Sequence, residues 1–151
     1  MKHYLDAAEN AARAAGKLLC ENFQQRQRVK AVAAHDIKLE IDVQAQDLIG
    51  KLLLEEFPSH ALYGEEGIVG DQSSDHQWIV DPLDGTVNYF YGIPHFCISI
   101  ALRLHNEIVV GVIYDPIRGE MWTGQKGEVS KLNGTPRETI SRRNPSHIVV
   151  T

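Results

Sequence analysis

The chain has 151 residues, 43% apolar and 23% charged. That length fits one domain able to bury about 70% of the unfolded chain's surface, and the composition excludes disorder and collagen-like repeats. The 15 Lys and Arg against 20 Asp and Glu leave a formal charge of −5, a field that repels nucleic acid and argues against it as a partner.

The first predicted element is a helix, with Tyr4, Ala8, Ala11, Ala12, Ala15, Leu18, Leu19 and Phe23 recurring at steps of three and four. Its many alanines suit close packing against a neighbour. Asp6, Glu9 and Arg13 interrupt its apolar pattern, so it does not read as a signal peptide. The polar, basic run from Gln24 to Lys30 ends it. His35 to Asp42 reads as a short strand or turn, with Asp42 placed to cap a second helix. That helix carries the stripe Ala45, Leu48, Ile49, Leu52, Leu53 and Phe57 and closes at Pro58.

Strand signals follow. Ala61 to Tyr63 runs into Gly64-Glu65-Glu66-Gly67, and Gly70 to His76 reads as a mobile surface loop. Gln77 to Val80 leads into Asp81-Pro82-Leu83-Asp84-Gly85-Thr86. Phe96–Leu102 and Ile108–Tyr114 form strands about a turn at His105-Asn106. The turn Asp115–Gly119 precedes a strand at Glu120–Thr123, and Asn133-Gly134 signals a type I′ hairpin. His147 to Thr151 begins a further β-rich run, from which a fragment of a longer protein is expected. Apolar runs such as Ile108–Tyr114 are far shorter than the ~20 residues of a membrane span. Cys20 and Cys97 match no metal or redox spacing and read as buried, reduced thiols of a cytoplasmic protein. Trp78 and Trp122 fall in strand patterns and read as core, and the seven histidines as surface or packing residues.

Two acidic clusters carry the chemistry. If the strands before Glu65-Glu66 and before Asp81 lie side by side, both clusters meet at one sheet edge. Pro82 fixes its own φ and lacks an N–H, which can turn Asp81 and Asp84 together around the Leu83 carbonyl. Gly85 admits close backbone approach, and a short helix opening at Thr86 aims free N–H groups at an anion. Hard oxygen donors beside a phosphate cradle suit Mg²⁺. Two carboxylates ~4 Å apart repel by ~4 kcal/mol at an effective dielectric near 20, so several together call for a cation or a proton. The alternative is a solvated acidic turn in which Asp81 or Asp84 merely caps. A P-loop, an HExxH pair and a GxSxG elbow are all absent from the sequence.

Gly64-Glu65-Glu66, the block from Trp78 through Asp81-Pro82-Leu83-Asp84-Gly85-Thr86-Val87-Asn88-Tyr89, the segment Gly111 to Gly124 and Asn133-Gly134 resemble the inositol monophosphatase family. The match is collinear over nearly the whole chain and covers a little more than half of a usual member. The resemblance implies a layered α/β sandwich of the sugar-phosphatase type, an α+β fold with helices packed on a largely antiparallel sheet. Residues 1–151 would then be the N-terminal metal-binding domain, without the C-terminal part. It further implies that Glu65, Asp81 and the Leu83 carbonyl bind one Mg²⁺, and that Asp81 and Asp84 bind a second whose remaining Asp belongs to a later block. Gly85 and Thr86 would hold phosphate. Thr86 paired with Asp42 would orient the attacking water, with Glu66 an acid near the metals. Leu39 stands where the family usually has Thr, Gln46 where an acid is common, and Lys30 matches a basic residue in a shifted alignment.

The implied activity is Mg²⁺-dependent hydrolysis of inositol monophosphate or a similar small sugar or polyol phosphate by a metal-activated water. The implied protein is a cytoplasmic homodimer with no nucleic-acid or membrane partner. Asn88 and Tyr91-Gly92-Ile93-Pro94 favour this substrate class over bisphosphate nucleotides or histidinol phosphate. Three alternatives remain: a regulatory or binding protein on the same scaffold, some bacterial relatives of which associate with the transcription machinery; another phosphatase of the family, for a bisphosphate nucleotide, histidinol phosphate or fructose 1,6-bisphosphate; and a folded but inactive fragment.

Overall fold

The computed structural model describes residues 1–25, 29–33 and 36–137, with the backbone alone at 29–33 and 36–38. Helix α1 spans Lys2–Asn22 and buries Leu5, Ala7, Ala8, Ala11, Ala12, Ala15, Gly16 and Leu19. The small residues serve close approach: a Cβ on Gly16 would lie 2.6 Å from the Tyr114 ring. Cys20 is exposed, contrary to the buried thiol expected, because it sits about 100° around the helix from Leu19. A hairpin of β1 (Val29–Ala33) and β2 (Asp36–Leu39) follows. The first of these strands lies in a stretch with no readable alternation.

Helix α2 spans Glu40–Glu56, and Leu39 rather than Asp42 is its N-cap residue. Asp42 is the third helical residue, and its Oδ2 accepts the Leu39 N–H at 2.8 Å, half of a capping box. The buried face holds Ile41, Asp42, Ala45, Gln46, Ile49, Gly50 and Leu53, while Leu52 is exposed. The face is thus rotated from the purely apolar stripe, and two polar side chains turn inward.

The remaining strands are β3 (Ala61–Gly64), β4 (Gly67–Gly70), β5 (His76–Asp84), β6 (Cys97–Leu104), β7 (Glu107–Asp115), β8 (Glu120–Gln125), β9 (Lys131–Leu132) and β10 (Thr135–Pro136). They form one eight-stranded sheet in the order β10-β9-β8-β7-β6-β5-β3-β4. Every neighbouring pair is antiparallel except β3 and β5. The largely antiparallel α+β sheet expected from the hairpin signals is present. His105 and Asn106 at φ 48° and 66°, and Asn133 and Gly134 at 49° and 78°, make its tight turns. Strand β4 was not expected, since four residues that include two glycines carry too little pattern to read.

Helices α1 and α2 pack against β5, β6 and β7, over a core that includes Trp78, Val80, Ile98, Ile100, Leu102, Val110, Val112 and Met121. Trp122 faces outward and is 41% exposed, which corrects its expected place in the core: strand alternation sends its neighbours Met121 and Thr123 inward. At the end of α2, the buried His60 stacks between Phe57 and His76, with ring centroids 4.9 and 4.6 Å away. Its Nδ1 has no hydrogen-bond partner, and burial pulls its pKa down to about 4. The His147–Thr151 run and the Lys30 side chain lie outside the described residues.

Candidate metal centre

Strand β3 runs parallel to β5 with Gly64 opposite Val80. Both acidic clusters therefore leave the sheet at the same end. The Glu65 N–H donates to the Val80 carbonyl at 3.3 Å, extending the pairing by one residue into the turn.

The motif from Asp81 to Asp84 lies inside β5. Asp81 pairs with Ser99 and Asp84 with Cys97, so three steps on β5 oppose two on β6. The extra residue is a β-bulge at Pro82-Leu83, which re-aims the flanking side chains. Pro82 is tolerated there because a bulged residue has no ladder hydrogen bond to lose. The Leu83 N–H turns back to Asp81 Oδ1 at 3.1 Å, and Leu83 is buried. Gly85 follows at φ 96°, a left-handed position where a Cβ would also meet the His95 carbonyl at 3.0 Å. Helix α3 (Thr86–Phe90) then begins. The buried Tyr89 hydroxyl donates to the Leu19 carbonyl at 2.7 Å, and Asn88 Nδ2 to the His95 carbonyl at 2.8 Å. These bonds tie the acidic bulge to α1 and to the loop before β6.

Glu65, Asp81, Leu83, Asp84, Gly85 and Thr86 line one open pocket of about 270 Å³, together with Val87 and Asn88. The Glu65 carboxyl lies close enough to Asp81 to draw its pKa down, and Asp84 close enough to raise it. Burial is the largest cause of the upward shift at Asp81, opposed by the Leu83 N–H and the Glu65 contact. Two carboxyl groups make such a contact only by sharing a proton or a cation.

Asp42 reaches the same charge cluster from α2. It is 4% exposed, and its Oδ1 has no hydrogen-bond partner. Burial pushes its pKa up to about 7, with the Leu39 N–H opposing and Glu66, Glu65 and Asp81 adding to the rise. The Thr86 hydroxyl donates to the Leu83 carbonyl at 2.9 Å rather than to Asp42. Glu66 is half-buried, and Glu65 and Asp84 are exposed to the pocket. Among the described residues, no three His, Cys, Asp or Glu side chains close to metal-ligand geometry. The site offers carboxylate pairs with a backbone carbonyl and two glycine-flanked amides.

These groups fit a hard divalent cation: every donor is oxygen, the carboxyls repel one another, and a buried carboxyl oxygen lacks a partner. Cys97 does not join as a nucleophile. Its Sγ lies 3.6 Å from Asp84 Oδ2, and burial and Asp84 push the thiol up to about 12, which keeps it protonated.

The sequence marked Gln46 only as a departure from an acid common in the family, without its hydrogen-bonding role. The side chain is 4% exposed, its Oε1 accepts the Glu66 N–H at 2.8 Å, and its Nε2 donates to the Gly67 carbonyl at 3.4 Å. Only the pairing of α2 with the β3–β4 turn reveals it.

The family model described as the inositol monophosphatase family matches residues 1–151. The chain belongs to the inositol monophosphatase family. A Nus factor SuhB from Haemophilus influenzae is 38% identical over 95% of this chain and 55% of its own length. Inositol monophosphatase 3 from Solanum lycopersicum is 37% identical over 94% and 54%. Among solved structures, the extragenic suppressor protein suhB from Bartonella henselae matches with a TM-score of 0.87 and 34% identity, over 93% of this chain and 56% of that one. An inositol monophosphatase from Thermotoga maritima matches with a TM-score of 0.85 and 32% identity, over 94% and 55%. The chain spans about half the length of the curated relatives it matches. The fold is that of the family, and its members are phosphatases and Nus factors by name.

Proposed function

We propose that this chain is the metal- and phosphate-binding part of a Mg²⁺-dependent phosphomonoesterase for inositol monophosphate or a similar small sugar or polyol phosphate. The observation that carries the reading is the parallel pairing of β3 with β5, which brings Glu65 and Asp81 out of the sheet at the same end. Glu65, Asp81 and the Leu83 carbonyl hold one Mg²⁺, and Asp81 and Asp84 hold a second. When bound, the metals polarise the phosphate oxygens and lower the pKa of bound water. The Gly85 and Thr86 amides lie at the start of α3, whose first N–H groups have no intrahelical acceptor, and they receive the phosphate oxygens. The Thr86 hydroxyl, by donating to Leu83, leaves its lone pairs to accept a hydrogen bond from the attacking water. Asp42, whose buried Oδ1 has no hydrogen-bond partner, helps Thr86 orient that water from the α2 side of the cluster. Glu66 supports the cluster's charge from its rim.

No helix of the described residues is long and apolar enough to cross a membrane. A cytoplasmic homodimer belongs to the same reading, and light scattering on the purified chain tests the dimer.

The reading is tested with Asp81→Asn and Glu66→Gln. Calorimetric Mg²⁺ titration is expected to show a much larger loss for the first, because Asp81 serves both metals. Equal losses count against the ligand assignment. A second reading, a regulatory protein on this scaffold, is favoured by the Nus factor names of the Haemophilus influenzae and Pasteurella multocida relatives. A protein pull-down that survives substitution of both Asp81 and Asp84 supports it.

A further inference from the structure

We propose that Gln46 is the positioning residue of the Glu65-Glu66 turn, holding it in the place from which Glu65 meets Asp81. The inference rests on the metal-site reading above and names what builds its least anchored half.

The β3–β4 turn lies at the edge of the sheet, and all four residues of β4 are exposed. Little core packing therefore fixes it. Helix α2 reaches it from beneath. Gln46 follows Asp42 by one helical turn, so both side chains leave the same face. Its carboxamide accepts from the Glu66 N–H and donates to the Gly67 carbonyl, spanning the peptide between them.

The strand is shaped to receive this group. A Cβ on Gly64 would fall 1.9 Å from Gln46 Oε1 and 2.2 Å from its Cδ. Any side chain at Gly64 would expel the amide. The chemistry also selects the residue type. A carboxamide both accepts and donates, and it carries no charge. Asp42, one turn back on the same helix face, already feels Glu66, Glu65 and Asp81. A neutral clamp anchors the turn without adding to that repulsion.

The test uses Gln46→Met, which keeps length and burial but loses both hydrogen bonds, Gln46→Glu, which keeps the acceptor, and Glu65→Gln as the direct-ligand control. Three quantities are read on the purified chain: Mg²⁺ affinity by calorimetry, hydrogen exchange at the Glu66 amide, and the urea midpoint without metal. Gln46→Met is expected to lose at least tenfold in Mg²⁺ affinity and the protection of the Glu66 amide, with core amides still protected. Gln46→Glu, which keeps the acceptor but loses the Gly67 bond and adds a charge, is expected to restore Glu66 protection while recovering only part of the affinity. The proposal is overturned if Gln46→Met binds Mg²⁺ like the wild type. It is also overturned if its loss is matched by exchange throughout the core, which would make Gln46 a fold residue only. If wild type and Glu65→Gln bind Mg²⁺ alike, the metal-site reading fails, and unchanged protection at Glu66 in Gln46→Met then separately overturns the clamp.

Discussion

Asp42→Asn separates what this carboxylate does to the fold from what it does in the site. Asp42 is 4% exposed, and its pKa is held up to about 7 against an ordinary 3.8. The folded state therefore binds its proton more tightly than the unfolded state. The stability this contributes is fully present below the unfolded value and is lost as pH rises from about 4 to about 7. At ~1.4 kcal/mol per pH unit, the ionised group destabilises the metal-free fold by on the order of 4 kcal/mol at pH 8. Asparagine keeps an oxygen for the Leu39 N–H and removes the charge that Glu66, Glu65 and Asp81 oppose. Urea unfolding without metal is expected to show a gain of about 2–4 kcal/mol at pH 8, falling below about 2 kcal/mol at pH 5, with an unchanged m-value. Saturating Mg²⁺ should shrink the gain, because the cation relieves the same repulsion. A variant no more stable than wild type at pH 8, or a gain independent of pH, would refute the account of Asp42 as a strained buried acid.

His60 acts with the opposite sign. Its pKa is depressed to about 4, so stability is full above about 6.5 and is lost as pH falls from there toward 4. In the Asp42→Asn background, stability should therefore rise by up to about 3 kcal/mol between pH 4 and 6.5, and adding His60→Phe should flatten that slope in urea titrations; a slope that persists would assign it to another group. The 151-residue chain itself is expected to bind Mg²⁺ yet release phosphate at least a thousandfold more slowly than a full-length relative. Its described residues supply the second metal only with Asp81 and Asp84, and a lost electrophile is worth several kcal/mol at about 1.4 kcal/mol per tenfold. Comparable turnover in a phosphate-release assay would mean that the second site is completed from within this chain or by a partner.

Much of the fold was legible locally. The alanine-rich 3.6-residue period of α1, the stop at Pro58, the turns at His105-Asn106 and Asn133-Gly134 and the alternation of β6 and β7 each depend on sterics within a few residues. The convergence around Pro82, Gly85 and Thr86 was legible as a turn after a strand ending at Val80, but its form, a bulge inside β5, was not, because β6 pairs on through Asp84. Tertiary structure decided how these pieces meet. The parallel register of Ala61 with Gln77 brings Glu65 to Asp81, and no local rule sets the register of strands that far apart in sequence. Burial against the sheet, rather than helical period, turned Asp42 and Gln46 inward and raised the acid's pKa. Strand alternation within a particular sheet put Trp122 outside and Trp78 inside, although both have the same intrinsic preference for burial. The clamp on the Glu66 backbone joins residues 20 positions apart through a notch at Gly64. A side chain's chemistry is written in its own codon, whereas the field and the partners that tune it come from residues only the packed chain brings near.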